Sequence, residues 1–440
     1  MRTTIASAVV VFFASASFAA CGGSTQSQAP ETPQDAGSTG ADGGVVTVPD
    51  AAPDVAPDVD NGAPSETYPA PHPPLPEVVS SGGPVLASPK VVPIFFPGYA
   101  YKTQIIDYLS KLGATPYWSA AVGEYGVGAL TAGRAIELTE MPPSTISDSE
   151  IQAWLTGKLD GTHADFGMPD PSTIYTIYYP DTTSITLGQG GGGGASCVDF
   201  GGYHENIELG GKTIPYAVIP QCAKFHALMG IDVVTGTSSH EFIEAVTDPY
   251  PASNPAYSGV DDPHFVWELA IGGGEVGDMC SPFDSSFYKP AGFDYIVQRG
   301  WSNAAAKANK DPCVPGIPSL PYFNSAAVLP DMITLNFGGQ SVTAPGVKIP
   351  VGSSKTIEID LFSEAKTAGA WNVSAKQPSR GGAMTTPNLD FKWDRTSGVN
   401  GEKLHLTITA LKASQYKASS FVVVSQMGTQ KAYWVGLVGN

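Results

Sequence analysis

The sequence predicts a mixed α/β (α+β) domain at residues 86–318 and an all-β, immunoglobulin-like sandwich at residues 319–440, both behind a disordered N-terminal tether. Three observations support this division. Apolar runs of strand length alternate with segments of helical spacing in the first domain. Short runs of β-formers, separated by turns, fill the last third of the chain. A Pro- and Asp-rich stretch without basic residues precedes both domains.

The first 21 residues are predicted to be an export signal. Arg2 precedes an apolar run from Ile5 to Phe13, and small residues lead to Ala20 and Cys21. A positive start, a short apolar centre and a small-residue cleavage site are typical of a secretory signal. Because Cys21 follows two alanines, the ending resembles a bacterial lipobox, in which this cysteine is acylated. The alternative is an ordinary signal peptide that is cut near Ala20.

Residues 22–85 are predicted to be a disordered linker. They include twelve prolines and nine acidic residues but no lysine or arginine, so half of the chain's formal net charge of -18 lies here. Such a segment cannot bury enough apolar surface to offset its chain entropy. We therefore expect a lipid-anchored protein of the bacterial cell envelope, at the outer membrane or cell surface, or otherwise a secreted one. Its contact with the membrane would be through the lipid anchor only.

The charge of the chain excludes some classes of partner. It has 23 basic and 41 acidic residues, and no run is rich in lysine or arginine. A protein that binds nucleic acid needs basic residues to neutralise phosphates, so we expect no nucleic-acid partner. A basic patch for an anionic membrane surface is excluded for the same reason.

The cysteines agree with export. Besides Cys21 the chain has four, and an even set in an exported protein indicates two disulfides. Three pairings are possible, of which the pairing of sequence neighbours is the simplest. No Cys-x-x-Cys spacing is present, which argues against a cysteine-ligated zinc site. The four cysteines are Cys197, Cys222, Cys280 and Cys313.

Strands and helices alternate in the predicted first domain. The segments 91–96, 174–179 and 216–219 are rich in β-formers. Residues 102–112 have helical spacing, and Ser147 or Asp148 is placed to cap a second helix. The glycine run 188–194 lacks the Gly-Lys-Ser/Thr ending of a phosphate-binding loop, so it does not predict a nucleotide site.

The last 120 residues show only β patterning. Strands are predicted at residues 342–351, 356–361, 404–409, 421–424 and 433–438, separated by turns. No histidines or carboxylates cluster in this domain. We therefore expect it to act as a spacer or in adhesion.

Residues 230–280 contain the candidate metal-binding and catalytic side chains. His240 and Glu244 are four apart on a predicted helix, residues 237–246, and project from one face; Glu241 is next to that face. This is the layout of the His-Glu-x-x-His metalloprotease helix, in which two residues bind zinc and the glutamate activates water. Glu244 replaces the second histidine. Glutamate is an acceptable zinc ligand, but the shorter motif is less specific.

Further candidate ligands follow this helix, and three interpretations stay open. In the first, His240, Glu244 and either Glu275 or Asp278 hold zinc while Glu241 is the general base. In the second, oxygen ligands alone hold calcium. In the third, the polar residues of the helix form a hydrogen-bonded surface cluster without metal. The calcium set would be Asp248, Asp261, Asp262, Glu275 and Asp278.

Several short elements in one order resemble the Exordium (phosphate-induced protein 1) family across residues 90–315. The resemblance is carried by the recurrence of several elements in order rather than by one of them. The resemblance implies a zincin-like fold, an extracellular location and a place for His204 near the site; a structural histidine beside the Cys197 disulfide is the alternative. The matching elements are Cys197 with Tyr203-His204, 220–222, 230–232, 239–249, Trp267, 275–280 and 311–313.

Two functions are compatible with these features. The first is a surface-tethered zinc metallohydrolase, foremost a peptidase acting on a peptide or cell-envelope substrate, in which Glu241 activates the water. Two carboxylate ligands would leave the metal a weaker Lewis acid than two histidines, so such an enzyme would be slow. The alternative is a non-catalytic extracellular binding or adhesion protein on a degenerate metalloprotease scaffold, with any metal structural.

Overall fold

The computed structural model describes residues 61–188, 193–318, 320–337, 340–378, 388–414 and 417–440. The predicted signal, the Cys21 lipidation site and residues 22–60 of the predicted linker lie outside these ranges. Within them, no helix is long and apolar enough to cross a membrane.

The first part of the described chain has helices and strands in alternation. The helices are α1 (Lys102–Leu112), α2 (Pro116–Val122), α3 (Asp148–Lys158), α4 (Ile231–Thr247), α5 (Val266–Ile271) and α6 (Asn303–Lys307). The strands are β1 (Val78–Val79), β2 (Lys90–Phe95), β3 (Thr131–Ala132), β4 (Ile136–Glu137), β5 (Thr145–Ser147), β6 (Thr173–Tyr179), β7 (Ser184–Thr186), β8 (Tyr203–Leu209), β9 (Lys212–Pro220), β10 (Lys224–Phe225), β11 (Leu228–Met229), β12 (Gly259–Val260), β13 (Phe287–Tyr288), β14 (Val297–Gln298), β15 (Gly300–Trp301) and β16 (Cys313–Val314).

A mixed sheet forms the centre of this part. Its order is β3-β2-β6-β9-β8, with β4 also on β2; β2, β6 and β9 are parallel, and β8 runs antiparallel to β9 at the edge. Alternate side chains of the strands enter two separate cores. Helices α1, α2 and α4 cover one face and α3 covers the other, which explains the continuous apolar runs of β2 and β6. The mixed α/β architecture is therefore present.

Local signals in the sequence placed several of these elements. The predicted helix 102–112 has the bounds of α1. Ser147 is the N-cap of α3 in a capping box with Glu150, which satisfies two helix-end donors. The predicted strands 91–96, 174–179 and 216–219 correspond to β2, β6 and β9.

The remainder of the chain is an all-β sandwich, as predicted. One sheet has the order β17-β20-β24-β22 and the other β18-β19-β26-β25-β21-β23. Along β24, buried and half-buried residues alternate, because one face of each sheet turns inwards. The strands are β17 (Phe323–Ala327), β18 (Asp331–Phe337), β19 (Gln340–Lys348), β20 (Ser354–Ser363), β21 (Trp371–Lys376), β22 (Leu389–Trp393), β23 (Ser397–Gly398), β24 (Lys403–Ala410), β25 (Ala418–Met427) and β26 (Gln430–Gly439).

The two parts pack against each other through aromatic side chains. Trp267 of α5 lies edge-on to Trp434 of β26 with ring centroids 5.9 Å apart. Phe283 contacts Tyr433 at 4.7 Å. Buried side chains of both parts belong to one continuous apolar cluster. The sandwich therefore buttresses the side of the α/β part that contains α5.

The prediction of a disordered linker up to residue 85 is wrong for residues 61–85. Residues 61–79, here called the N-terminal strap, contact both parts of the protein. Asn400 donates to the carbonyls of Ser65 and Thr67, and β1 pairs with β12. Leu75 and Val78 are buried. Composition averaged over the whole segment hid these few apolar residues, which find partners only in the folded protein.

Candidate metal centre

Helix α4 provides the middle of the site. It begins at Ile231, six residues before the predicted start, after Gly230 at φ 55° turns the chain. Its first half is made of apolar and small residues that are nearly all buried. It ends at Thr247 because Asp248 precedes a proline, which disfavours helical backbone. The helix is therefore buried on most sides, and its polar residues need partners.

Three polar side chains of α4 meet at its C-terminal end. Nε2 of His240 lies 3.2 Å from Oε2 of Glu244, one turn further along. Glu241 belongs with these two residues to a group whose ligand atoms all lie within 4.8 Å of one another. Glu241 and Glu244 are buried, with residue exposures of 2% and 4%. The predicted helix face is thus present and points into the protein.

Strand β8 brings His204 to the same place. Its Nδ1 lies 3.6 Å from Oε2 of Glu244 and 3.7 Å from Oε2 of Glu241. Its Nε2 lies 3.1 Å from the carbonyl oxygen of Asp248 and 3.9 Å from Oε2 of Glu275. His204, Glu244 and Glu275 form a second group with ligand atoms within 4.8 Å. His204 is therefore a member of the site and not only a neighbour of it.

The segment after α5 closes the site with two carboxylates. Glu275 contacts His204, and Oδ1 of Asp278 lies 3.9 Å from Nε2 of His240. The backbone N–H of Asp278 donates to Oε1 of Glu244 at 3.0 Å, which fixes that carboxylate. The disulfide Cys280–Cys313 anchors the end of the segment.

Both disulfides of the protein use neighbouring cysteines. Cys197 pairs with Cys222, and Cys280 with Cys313. The simplest of the three pairings open to the sequence is therefore the one present. Cross-links of this kind form and persist in oxidising compartments.

Gly277 leaves the space in which His240 and Glu244 meet. A Cβ at this position would lie 2.7 Å from Oε1 of Glu244 and 2.8 Å from Nδ1 of His240, closer than real Cβ atoms approach. Its backbone is held in place, because the side chain of Gln298 donates to its carbonyl at 2.8 Å. The backbone N–H of Gln298 in turn donates to Oγ of Ser239 on α4. Through Gln298, the segment that contains Gly277 is therefore held against α4.

The pKa values in the site are shifted because several acidic side chains are buried close to one another. Burial raises the pKa of Glu244 well above its usual range, and Asp278 and Glu275 raise it further. Burial also raises the pKa of Glu275 and of Asp278. Burial by itself lowers the pKa of His204, but the carboxylates of Glu275 and Glu241 outweigh it and raise that pKa to about 10.

The lysines and arginines of the described chain do not neutralise this cluster. The lysines and arginines of the described ranges form their ion pairs with other carboxylates. Oδ1 of Asp248 accepts the N–H of Ala256 at 2.6 Å, but its buried Oδ2 has no donor among the described residues. A buried carboxylate without a counter-charge is costly, so the site needs protons or cations.

The donor set fits a divalent metal. Zinc binds imidazole nitrogen and carboxylate oxygen at about 2.0–2.2 Å, so two ligands of one tetrahedral ion lie about 3.4 Å apart. The distances of 3.2 Å from His240 to Glu244 and 3.6 Å from His204 to Glu244 are close to that value. Two imidazoles and several carboxylates also suit manganese or iron.

The structure divides the predicted zinc set between two ligand groups and separates the predicted calcium set. Glu244 shares one group with His240 and Glu241 and the other with Glu275, whereas Asp278 belongs to neither and lies 3.9 Å from Nε2 of His240. Asp261 and Asp262 also belong to neither ligand group of the described chain. Asp261 instead contacts Nδ1 of His264 at 2.8 Å and accepts the N–H of Glu77 in the strap.

Sequence patterns did not reveal two features of the site. His204 entered only through the family resemblance, since one histidine on an edge strand has no local signal. Gly277 had none either, because its φ of -75° is open to any residue and only its neighbours require glycine.

Comparisons with known proteins add little to this description. No family model matches the chain, and no curated protein matches it. Among solved structures, the titin M3 domain matches 21% of this chain over 85% of its own length, at 10% identity and a TM-score of 0.15. Titin M4 matches 28% of this chain over 98% of its own length, at 11% identity and a TM-score of 0.16. Domains 4 and 5 of the S-layer protein SbsC match 33% of this chain over 84% of theirs, at 13% identity and 0.16. Similarities this weak support no argument about function.

Proposed function

We propose that the α/β part of this chain is a divalent-metal-dependent hydrolase of the zincin-like, Exordium-like kind, with a peptide substrate and zinc as the metal. The main support is that Oε2 of Glu244 lies 3.2 Å from Nε2 of His240 and 3.6 Å from Nδ1 of His204, in a cluster that no lysine or arginine of the described chain pairs with. His204 adds an imidazole that the His-Glu-x-x-Glu helix does not supply. The site would hold zinc through His204, Glu244 and Glu275, whose ligand atoms lie within 4.8 Å of one another, with the fourth position open to water.

The roles of the residues follow from their positions. A zinc ion bound there would supply a Lewis acid that polarises a carbonyl group and lowers the pKa of a water. Glu241 is the general base when one zinc ion is held by His204, Glu244 and Glu275, because it lies beside the ligand face of α4 and does not belong to that ligand group. Its carboxylate accepts the proton of the attacking water and passes it to the leaving amine.

The edge position of β8 favours an extended peptide as substrate. Within the sheet that the structure describes, β8 pairs only with β9, so its other edge has backbone donors and acceptors to offer. An extended peptide can pair with such an edge as an added strand. Because His204 is on β8, a peptide bound there would run past the proposed metal.

The test is the substitution Glu241→Gln in the purified protein. We expect at least one equivalent of bound zinc in both proteins. We expect the peptidase activity of the variant to be lower by about 100-fold or more. Glu66→Gln is the matched control, because Glu66 is exposed and lies in the strap rather than on β8 or α4. Absence of bound zinc, or equal activity of Glu241→Gln and the parent protein, would refute the proposal.

A second candidate is a non-catalytic binding protein with a structural metal. The packing of the sandwich against α5, through Trp267 and Trp434, favours it because such a rigid pair of domains can present a surface. In that case Glu241→Gln would leave binding of metal and partner unchanged, and no peptide would be cleaved by either protein. The same measurements of zinc content and peptidase activity therefore distinguish the hydrolase from the binding protein.

A further inference from the structure

We propose that this centre holds two divalent cations bridged by the carboxylate of Glu244. The proposal rests on the proposed function, since it concerns the same site, and it adds a second ion that the sequence motif does not predict. Glu244 is the one residue common to both ligand groups that the structure forms. Its Oε2 lies 3.2 Å from Nε2 of His240 and 3.6 Å from Nδ1 of His204.

The first half of the centre is built on His204 and Glu275. These two residues and Glu244 form one complete group of three ligand atoms. Asp248 lies beside them, because its carbonyl contacts Nε2 of His204 and its carboxylate neighbours that of Glu275. Oδ2 of Asp248 is buried without a hydrogen-bond donor, and the whole residue is 0% exposed. Such an oxygen next to a second carboxylate is a place for a cation.

The second half is built on His240 and Glu241. With Glu244 they form the other complete group, so in a two-ion centre Glu241 is a ligand of the second ion rather than the general base. Asp278 is the additional carboxylate here, with Oδ1 at 3.9 Å from Nε2 of His240. Each half therefore has one histidine, one carboxylate of its own and a further aspartate, and the two halves share Glu244.

The charge of the site also favours two ions. The cluster contains five carboxylates and the imidazoles of His204 and His240. The carboxylates are those of Glu241, Glu244, Asp248, Glu275 and Asp278. With neutral imidazoles, one divalent cation would leave a formal charge of about -3 in a largely buried space, and two would leave about -1. Since no lysine or arginine of the described chain pairs with these acids, the second cation is the better match. Paired metals about 3.5–4 Å apart suit hydrolysis, because they stabilise both the attacking and the leaving oxygen.

The experiment uses the exported chain stripped with a chelator and reloaded with Mn²⁺. The readouts are the metal-to-protein ratio and the electron paramagnetic resonance spectrum. We expect about two ions per chain with a spectrum of exchange-coupled manganese. About one ion with an uncoupled six-line spectrum would overturn this inference and leave the proposed function intact. Two uncoupled ions would overturn it as well, and no bound ion would refute both proposals.

Substitutions test which histidine belongs to each half of the metal centre. His204→Ala and His240→Ala should each abolish the exchange coupling, because each removes the histidine of one half. His163→Ala is the control, since His163 is exposed and belongs to neither ligand group. Circular dichroism checks the fold. If a variant fails to fold, Glu275→Gln replaces His204→Ala and Asp278→Asn replaces His240→Ala, because each conserves size. Persistence of the coupling in a folded His204 or His240 variant would overturn the assignment.

Discussion

Gly277→Ala should weaken metal binding without changing the backbone. The added Cβ would lie 2.7 Å from Oε1 of Glu244 and 2.8 Å from Nδ1 of His240. Ordinary contacts begin at about 3.4 Å, so the two side chains must retreat by about 0.6–0.7 Å. The glycine cannot move away easily, because Gln298 holds its carbonyl and Trp301 donates to the carbonyl of Val276 at 2.9 Å.

Moving the side chains of Glu244 and His240 should lower the affinity for metal. Disturbing the residues that orient metal ligands reduces metal affinity by about 10–100-fold, or about 1.4–2.8 kcal/mol. The φ of Gly277 is -75°, so alanine adds no backbone strain and the thermal stability of the metal-free protein should change little by comparison.

The assay is zinc competition with a chromogenic chelator, with a second glycine as control. Gly157→Ala lies within α3, where an added Cβ meets nothing within 4 Å, and should bind zinc as the parent protein does. A Gly277→Ala protein that is folded and binds zinc within about twofold of the parent would refute the steric argument.

Two further predictions concern the remainder of the protein. Burial and the neighbouring Glu358 raise the pKa of Asp360 to about 6, so its ionisation destabilises the fold as the pH rises through that value. Asp360→Asn should therefore melt higher than the parent protein at pH 8 and equally at pH 4; a pH-independent difference in melting temperature would contradict this. Asn400 makes four hydrogen bonds, to Ser65, Thr67, Ala70 and Ser363, so Asn400→Ala should cost about 3 kcal/mol in urea unfolding and expose the strap to proteases. Unchanged protease resistance of residues 61–79 would show that the strap is held by other contacts.

The sequence predicted elements well where short-range signals decide them. Helix α1 was found from its helical spacing, and the start of α3 from the cap signal at Ser147 or Asp148. Strands β20 and β24 follow from the alternation of inward and outward residues. These features depend on neighbours along the chain, so a single sequence contains them.

Where burial depends on distant segments, the sequence was less informative. The first turns of α4 were missed, because Thr235 and Gly236 are poor helix formers and are helical only as part of the packed core. Strand β8 was not predicted, and its register against β9 decides that His204 points to the site. The strap was assigned to the linker, although its buried Leu75 and Val78 bind it to the folded protein.

The sequence by itself determined the division into an α/β part and a β part, and it located the helix with His240, Glu241 and Glu244. These properties come from periodicity and spacing along a continuous stretch of chain. Only the tertiary structure decided which carboxylates meet that helix, that His204 joins them and that Gly277 leaves them room. The physical reason is that a metal site is a set of distances between residues far apart in sequence, and packing and disulfides fix those distances.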